Sequence, residues 1–222
     1  MTQFIQDMLQ FIQENIFSII TATIAVIALW QTHIQIKISN KQFLFKNRLE
    51  KYTIANMLIE LFKENQSLLD YSNKKDNEAI IVDIQFASLT NVGYLKDITG
   101  IISDPKNNEI KTEFLLKLEE IKQLANEIKF LFKREQGLLL NIFIVDYKNV
   151  LMELYKYQIF QNSMRENRIP MLKPKTYVEL QEEFDEKSHR MRLFSAINQL
   201  KNSYRKLQDE DVIAKIEKEI KL

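Results

Sequence analysis

The chain has 222 residues, 45% of them hydrophobic and 27% charged, which is the balance of a folded protein with a real core. Cysteine is absent, so disulfides, thiolate metal sites and cysteine nucleophiles are excluded. Only 3 glycines and 3 prolines occur, and the three glycines are too scattered to build a Walker A loop or a dinucleotide-binding fingerprint. A net charge of +1 is not the signature of a polyanion-binding protein. The composition therefore favours a helix-rich protein outside those nucleotide-binding folds.

Residues 15–36 form an uncharged segment of 22 residues. A helix of that length covers about 33 Å, which matches the hydrocarbon core of a bilayer. Its most apolar part ends at Trp30, where an interfacial aromatic is expected. The sequence therefore predicts a transmembrane helix over residues 15–36. A buried helix of a soluble protein is the alternative; a cleaved signal peptide fits less well, because no basic residue precedes the apolar run.

The flanks of this segment predict its orientation. No basic residue precedes it, whereas five follow it within fifteen positions, namely Lys37, Lys41, Lys46, Arg48 and Lys51. By the positive-inside rule the N-terminus lies outside and the C-terminal part in the cytoplasm, which predicts a single-pass protein of the inner membrane. Residues 1–14 then form a short external amphipathic segment, whose apolar face is Phe4, Ile5, Met8, Leu9 and Ile12.

Small side chains recur near helical spacing within the predicted span, at Ser18, Ala22, Ala25 and Thr32. Such a seam lets two transmembrane helices approach closely, so these four residues are candidates for self-association. Small residues are also common in transmembrane helices for other reasons, and incidental composition is the competing interpretation.

Residues 37–222 are predicted to be one cytoplasmic, all-α domain, an antiparallel bundle of about five helices. Apolar residues at helical spacing continue from the span, so we expect one uninterrupted helix from Ile16 to Leu69. A polar connection should follow at 70–78, and then a second helix from Ala79 to Ile102, despite its β-branched start.

Three further long helices are predicted in the remainder. The third begins near Asp104 and Pro105 and ends near Gly137. The fourth runs from Leu138 to about Asn167, and residues 169–174 interrupt it. The fifth begins at a capping box, Thr176 with Glu179, and reaches about Leu207; a short last helix follows from Asp209 or Asp211.

Residues for catalysis are scarce. Only His33 and His189 could act as a base for a serine nucleophile, and His33 lies at the predicted membrane, so a hydrolase triad is not expected. Glu182, Glu186 and His189 share one helical face, but helical di-metal sites need the Glu-x-x-His motif twice and it occurs here once. A solvated helix face is the favoured interpretation of these three residues. We therefore predict no catalytic residue, no cofactor-binding residue, no metal ligand and no cofactor.

A basic stripe is the least expected charge pattern. Residues 187–206 contain no acid, and Lys187, Arg190, Lys201 and Arg205 fall on one side of a helix. The stripe is a candidate for binding a polyanion, whether nucleic acid, anionic lipid or an acidic protein. A solvated face beside the core is the competing interpretation.

The stretch Lys37-Ile-Ser-Asn-Lys-Gln-Phe-Leu-Phe-Lys-Asn-Arg-Leu-Glu-Lys-Tyr52, directly after a single span, resembles a broad group of uncharacterised bacterial single-pass proteins. Some members look to be encoded in phage-defence or mobile regions. The likeness covers about residues 15–65, and it implies a short anchor with a helical cytoplasmic domain. It transfers no functional residue.

The leading hypothesis from the sequence is thus a membrane-anchored, non-enzymatic helical interaction module, a sensor or effector in bacterial phage defence. Its expected partners are membrane lipid and a protein, either a different chain or a second copy. A membrane-attached nucleic-acid-binding protein that uses the basic stripe is the first alternative. A hydrolase with an unrecognised carboxylate site is the second.

Overall fold

The computed structural model describes residues 2–71, 81–168 and 186–221, and every regular element in those ranges is a helix. The predicted all-α class is therefore confirmed for the described residues. Six are α-helices and one is a 3-10 helix, and in chain order they are α1 (Thr2–Tyr71), α2 (Val82–Thr90), the 3-10 helix (Gly93–Ile102), α3 (Asn108–Leu131), α4 (Arg134–Arg168), α5 (Glu186–Asp209) and α6 (Val212–Ile220).

The chain divides into two compact units, residues 1–47 and residues 48–222. Unit 1 consists of the N-terminal part of α1, a stretch without glycine or proline. Residues 35–42 are helical, so the predicted continuous helix from Ile16 to Leu69 is confirmed as secondary structure. The predicted connection at 70–78 begins inside α1, which runs to Tyr71, and residues 72–78 lie outside the described ranges.

Unit 2 has a core built around α4, which packs most extensively against α3 and α5. An aromatic cluster joins three helices: the ring of Phe62 on α1 lies 6.0 Å from that of Phe143 on α4 and 5.0 Å from that of Tyr204 on α5. The buried hydroxyl of Tyr147 donates a 2.6 Å hydrogen bond to the carbonyl of Leu89, which fixes the end of α2 against α4. These contacts bury the apolar stripes that predicted the helices.

The predicted second helix, Ala79 to Ile102, is two elements in its described part, residues 81–102; residues 79 and 80 lie outside the described ranges. α2 ends at Thr90, Val92 is extended at φ −135° and ψ 152°, and the 3-10 helix starts at Gly93. The hydroxyl of Thr90 donates to the Phe86 carbonyl at 2.8 Å, which satisfies an acceptor at the end of α2. Apolar residues before and after the break, such as Leu89 and Leu95, are buried. Because both elements bury an apolar face, the sequence keeps helical spacing across a break in the helix.

The third helix also begins later than predicted. α3 starts at Asn108 rather than near Asp104, and its cap is the side chain of Asn107, which accepts hydrogen bonds from the backbone N–H groups of Glu109 and Ile110 at 3.0 and 3.3 Å. Asparagine is as good a cap as aspartate, and both residues stand in the predicted turn.

The boundary between α3 and α4 is displaced as well. α3 ends at Leu131 and α4 begins at Arg134, so Gly137 lies in the first turn of α4 and does not end a helix. A Cβ atom at Gly137 would lie 3.0 Å from the Ile128 carbonyl oxygen and 3.1 Å from that of Lys129. The glycine is therefore explained by the close approach of α4 to the end of α3.

The interruption at 169–174 and the capping box of Thr176 and Glu179 lie outside the described residues. The predicted fifth and last helices are observed from Glu186 to Asp209 and from Val212 to Ile220. Asp211 between them adopts a left-handed conformation, φ 50°. Aspartate tolerates this conformation better than most residues, which suits it to the turn.

Candidate functional site

The apolar segment of unit 1 is fully open to the surroundings. Among the described residues, α1 alone contains a window long and apolar enough to cross a membrane, with a mean hydropathy of 1.7 and no residue of that window buried. Phe17 is 82% exposed, Leu29 71% and Trp30 66%. Length and composition thus agree with the sequence prediction, and a buried helix of a soluble core does not describe this segment.

The four residues of the predicted seam are all exposed. At 100° per residue, Ser18, Ala22, Ala25 and Thr32 fall within about 80° of one another around α1. The Thr32 hydroxyl donates a 2.8 Å hydrogen bond to the Ala28 carbonyl, so this donor is satisfied within the helix. The seam therefore presents a narrow face of small side chains.

The basic stripe is not a uniform solvent-facing surface. Lys187 and Arg205 are exposed and Lys201 is half-buried, but Arg190 is buried. Its guanidinium makes an ion pair with Glu186, with Nε and Nη2 each 2.7 Å from one carboxylate oxygen. Burial, the largest single effect, lowers the pKa of Arg190, but the hydrogen bond to Glu186 and the interactions with Tyr157 together outweigh it, so the pKa is raised. Arg190 is thus a core cation, and Lys187 and Arg205 are the exposed cations of the stripe.

Glu186, which the sequence placed on a solvated face, is buried at the start of α5. The Tyr157 hydroxyl of α4 donates to Oε1 of its carboxylate, the same oxygen that the Arg190 guanidinium contacts. His189 stacks on the Phe160 ring with centroids 4.6 Å apart. Each of these groups has an evident structural partner, and this cluster fastens α5 to α4.

Metal binding gains no support from this region. Glu182 of the suggested set lies outside the described residues. In the part of the chain that is described, no three histidine, aspartate or glutamate side chains come together as a metal would require.

A second polar cluster, which we name the Arg48 clasp, was missed by the sequence reasoning. The Arg48 Nε donates to the Leu131 carbonyl at 2.8 Å, and its Nη2 pairs with the Glu219 carboxylate at 3.2 Å. The two carboxylate oxygens of Glu219 also accept from the Lys133 backbone N–H, both at 3.2 Å. The clasp thereby joins the start of unit 2 to the α3–α4 turn and to the last turn of α6.

Two neighbours on α1 extend the Arg48 clasp. The Tyr52 hydroxyl donates to Glu217 at 3.0 Å, and Lys51 pairs with Glu127 at 2.8 Å. Burial, with a smaller contribution from the hydrogen bond to Glu217, raises the pKa of Tyr52, which stays neutral as a donor. The only signal in the sequence was Arg48 and Tyr52 in the stretch that carries the resemblance, where they looked like an ordinary amphipathic pattern.

The geometry thus offers two features of functional interest: an unburied apolar segment, and a polar clasp at the point where the chain enters the helical unit. Comparison with protein-family models, with curated proteins and with solved structures finds no match for this chain.

Proposed function

We propose that residues 15–36 anchor this chain in the inner membrane as a single span, and that the helical unit from Arg48 onward is an interaction module on the cytoplasmic side. The observation that carries the proposal is the exposure of the apolar side chains of α1 in unit 1. Removing one such side chain from water is worth about 1.5–3 kcal/mol, so a segment with this many needs an apolar environment. A bilayer provides it over the whole length of the segment.

The polar groups of the segment support the same proposal. The hydroxyls of Thr21, Thr23 and Thr32 each donate to the carbonyl four residues earlier, at 2.7, 2.8 and 2.8 Å. The helix therefore satisfies these groups by itself, as a span must in hydrocarbon, where water is missing. The exposed cations Lys37, Lys41 and Lys46 follow the segment and none precedes it, which favours an outside N-terminus.

An interaction role, rather than hydrolysis, is supported by what the buried carboxylates of unit 2 do. Glu186 is held by Tyr157 and Arg190, and Glu219 by Arg48. These carboxylates hold helices together, and the packing of α4 between α3 and α5 supports the further proposal of an antiparallel bundle. The nucleic-acid alternative has lost one of its four cations, since Arg190 is in the core.

The absence of cysteine makes the anchoring test direct. Gln3→Cys and Asn202→Cys each add one labelling site at an exposed position, one in each unit. In intact cells an impermeant maleimide should label the first variant and not the second, while both proteins resist extraction from membranes by alkaline carbonate. Labelling of Asn202→Cys alone would reverse the orientation, and release by carbonate would overturn the anchor.

The interaction role is tested by crosslinking in native membranes, followed by affinity purification of the full chain. A specific protein, or a second copy of the chain, should be recovered with the wild type and lost when unit 2 is removed after Asn47. Recovery of lipid alone, with no protein crosslink on unit 2, would contradict the proposal.

The resemblance of the stretch 37–52 extends the proposal to a sensor or effector in phage defence. Deleting the gene in its native host should then raise the plating efficiency of at least one phage, and the full chain should restore protection. The same plating efficiency across a broad phage panel, with and without the gene, would remove the defence role and leave the anchored module.

A further inference from the structure

The turn between α3 and α4 exposes an aromatic side chain among cations. Phe130 is 82% exposed although the next aromatic, Phe132, is buried. Lys129, Lys133 and Arg134 around it are all exposed. We name Lys129, Phe130, Lys133 and Arg134 the α3–α4 tip. A bare phenylalanine bordered by three cations is the composition of a surface that inserts an aromatic side chain at a lipid headgroup layer.

The Arg48 clasp determines where this tip lies within unit 2. The Arg48 guanidinium lies 5.9 Å above the Phe132 ring and donates to the Leu131 carbonyl, so the tip is at the end of the unit where the chain enters it. Glu219 bonds the Lys133 N–H and so brings the last turn of α6, with exposed Lys218 and Lys221, to the same end. Among the described residues, Glu50, Glu135 and Glu217 are exposed acids at this end, and the five exposed cations Lys129, Lys133, Arg134, Lys218 and Lys221 outnumber them.

The tether from the span to this end is short. Twelve positions separate Ile36 from Arg48 along the chain, so only a short stretch of sequence links the proposed span to this end of unit 2. In the proposed orientation, Lys129, Lys133 and Arg134 lie on the side of the membrane whose leaflet is anionic.

We infer that the α3–α4 tip docks on the anionic inner surface of the membrane, with Phe130 inserted between headgroups and Lys129, Lys133 and Arg134 on their phosphates. This inference rests on the proposed single span. Charge complementarity selects lipid as the occupant, because a cluster of cations beside an exposed aromatic faces a negatively charged leaflet in the proposed orientation. Docking holds the helical unit against the bilayer and leaves its opposite end available to a partner.

The test places an environment-sensitive fluorophore on the tip of the full-length, otherwise cysteine-free chain. Phe130→Cys carries the nitrobenzoxadiazole label, and Leu116→Cys is the matched control, since Leu116 is also an exposed apolar residue of α3, 60% exposed and about 21 Å back along the helix. Both proteins are reconstituted in vesicles of neutral phosphatidylcholine, with or without a third of phosphatidylserine.

The expected result is a blue shift and quenching by headgroup nitroxide lipids at position 130 in anionic vesicles, with no change at position 116. Each cation near an anionic surface is worth about fivefold in the docking equilibrium. Lys129→Glu, Lys133→Glu and Arg134→Glu together should therefore reduce the docked fraction by about a hundredfold or more, and high salt should act in the same direction.

Three other results overturn the inference and differ from one another. If the label at 130 stays in water while the protein remains carbonate-resistant, docking fails and the anchor stands. If the protein leaves the vesicles, the anchor itself fails. If the label is shielded equally in detergent, neutral vesicles and anionic vesicles, the tip is covered by protein, such as a second copy of the chain.

Discussion

Arg48 and Glu219 stand 171 positions apart in the chain and form an ion pair of 3.2 Å in which both side chains are mostly buried. The same guanidinium holds the Leu131 carbonyl, and the same carboxylate holds the Lys133 N–H. One pair thus closes the first, middle and last helices of unit 2 at a single point. Removing this pair should therefore lower the stability of the whole unit.

Arg48→Met should lower the free energy of unfolding of unit 2 by about 2–3 kcal/mol, since the Glu219 carboxylate loses its cation in a largely buried place. For a unit of this size the melting temperature should fall by roughly 4–12 °C. Thermal unfolding of the detergent-solubilised chain, followed by circular dichroism, measures this. Lys106→Met is the control, because Lys106 and Glu166 are both more than half exposed and their pair contributes little. Equal effects of the two substitutions would show the Arg48 clasp to be unimportant.

Gly137→Ala should destabilise the protein by about 1–2 kcal/mol, even though alanine is the better helix former, because the added methyl group would meet the carbonyls of Ile128 and Lys129. Gly100→Ala is the matched control: nothing lies within 4 Å of a Cβ at that position. Its stability should stay the same or rise. The midpoints of chemical denaturation measure both effects. A Gly137→Ala variant that is more stable than the wild type would contradict the close approach of α4 to α3.

Arg190→Met should cost about 2–4 kcal/mol, because it removes the cation that pairs with the buried carboxylate of Glu186. Lys187→Met, on the same helix but exposed, should stay within about 0.5 kcal/mol. Urea unfolding of both variants tests the assignment. If Arg190→Met lowered the stability as little as Lys187→Met, the assignment of Arg190 to the core would be wrong.

The Lys51–Glu127 pair should make stability depend on pH in a defined direction. The hydrogen bond from Lys51, and then that from Gln123, lower the pKa of Glu127 below its usual 4.5. The stabilisation is therefore present above pH 4.5 and is lost as the pH falls through the lowered value. Glu127→Gln should reduce the melting temperature at pH 7, and the difference from wild type should vanish at lower pH. Glu64→Gln, which changes an exposed carboxylate, should have little effect at pH 7. A difference that persists once Glu127 is protonated would exclude the ion pair as its cause.

Self-association through the seam should be weakened by Ala22→Leu or Ala25→Leu, because a larger side chain keeps two helices apart. Thr23→Leu is the control, since it enlarges a side chain about 100–180° away from the seam residues around α1. Crosslinking yield in membranes is the measurement. The seam has no role if all three variants crosslink like the wild type.

Helical class and burial could be predicted well from periodicity. The apolar residues at helical spacing after the span are Phe45, Leu49, Tyr52, Ala55, Ile59 and Phe62. The last four are buried, whereas Phe45 and Leu49 are 48% and 44% exposed. Helix ends were harder to predict, because they depend on which of several competent caps is used. Asn107 and Asp104 are comparably good helix caps, and the structure uses Asn107.

Only the part of the candidate site that lies in one contiguous stretch of sequence could be predicted. The apolar segment is contiguous, so composition identifies it. The Arg48 clasp joins residues from opposite ends of the chain, and no short-range pattern records such a pairing. Arg190 was assigned to an exposed stripe because angular position on α5 does not tell where α4 lies, and Tyr157 of α4 covers that side.

The Arg48 clasp also has a consequence for biosynthesis. Its acidic member Glu219 lies 171 positions after Arg48, so at roughly 5–20 residues per second it is translated about 10–35 s later. Residues 15–36 leave the ribosome long before that, and under the proposed anchoring they enter the membrane while the unit they carry is still open. A chain terminated before Glu217 keeps the whole apolar segment but never closes its first helix against its last. The first helix of unit 2 can therefore close against the last only after translation has passed Glu219.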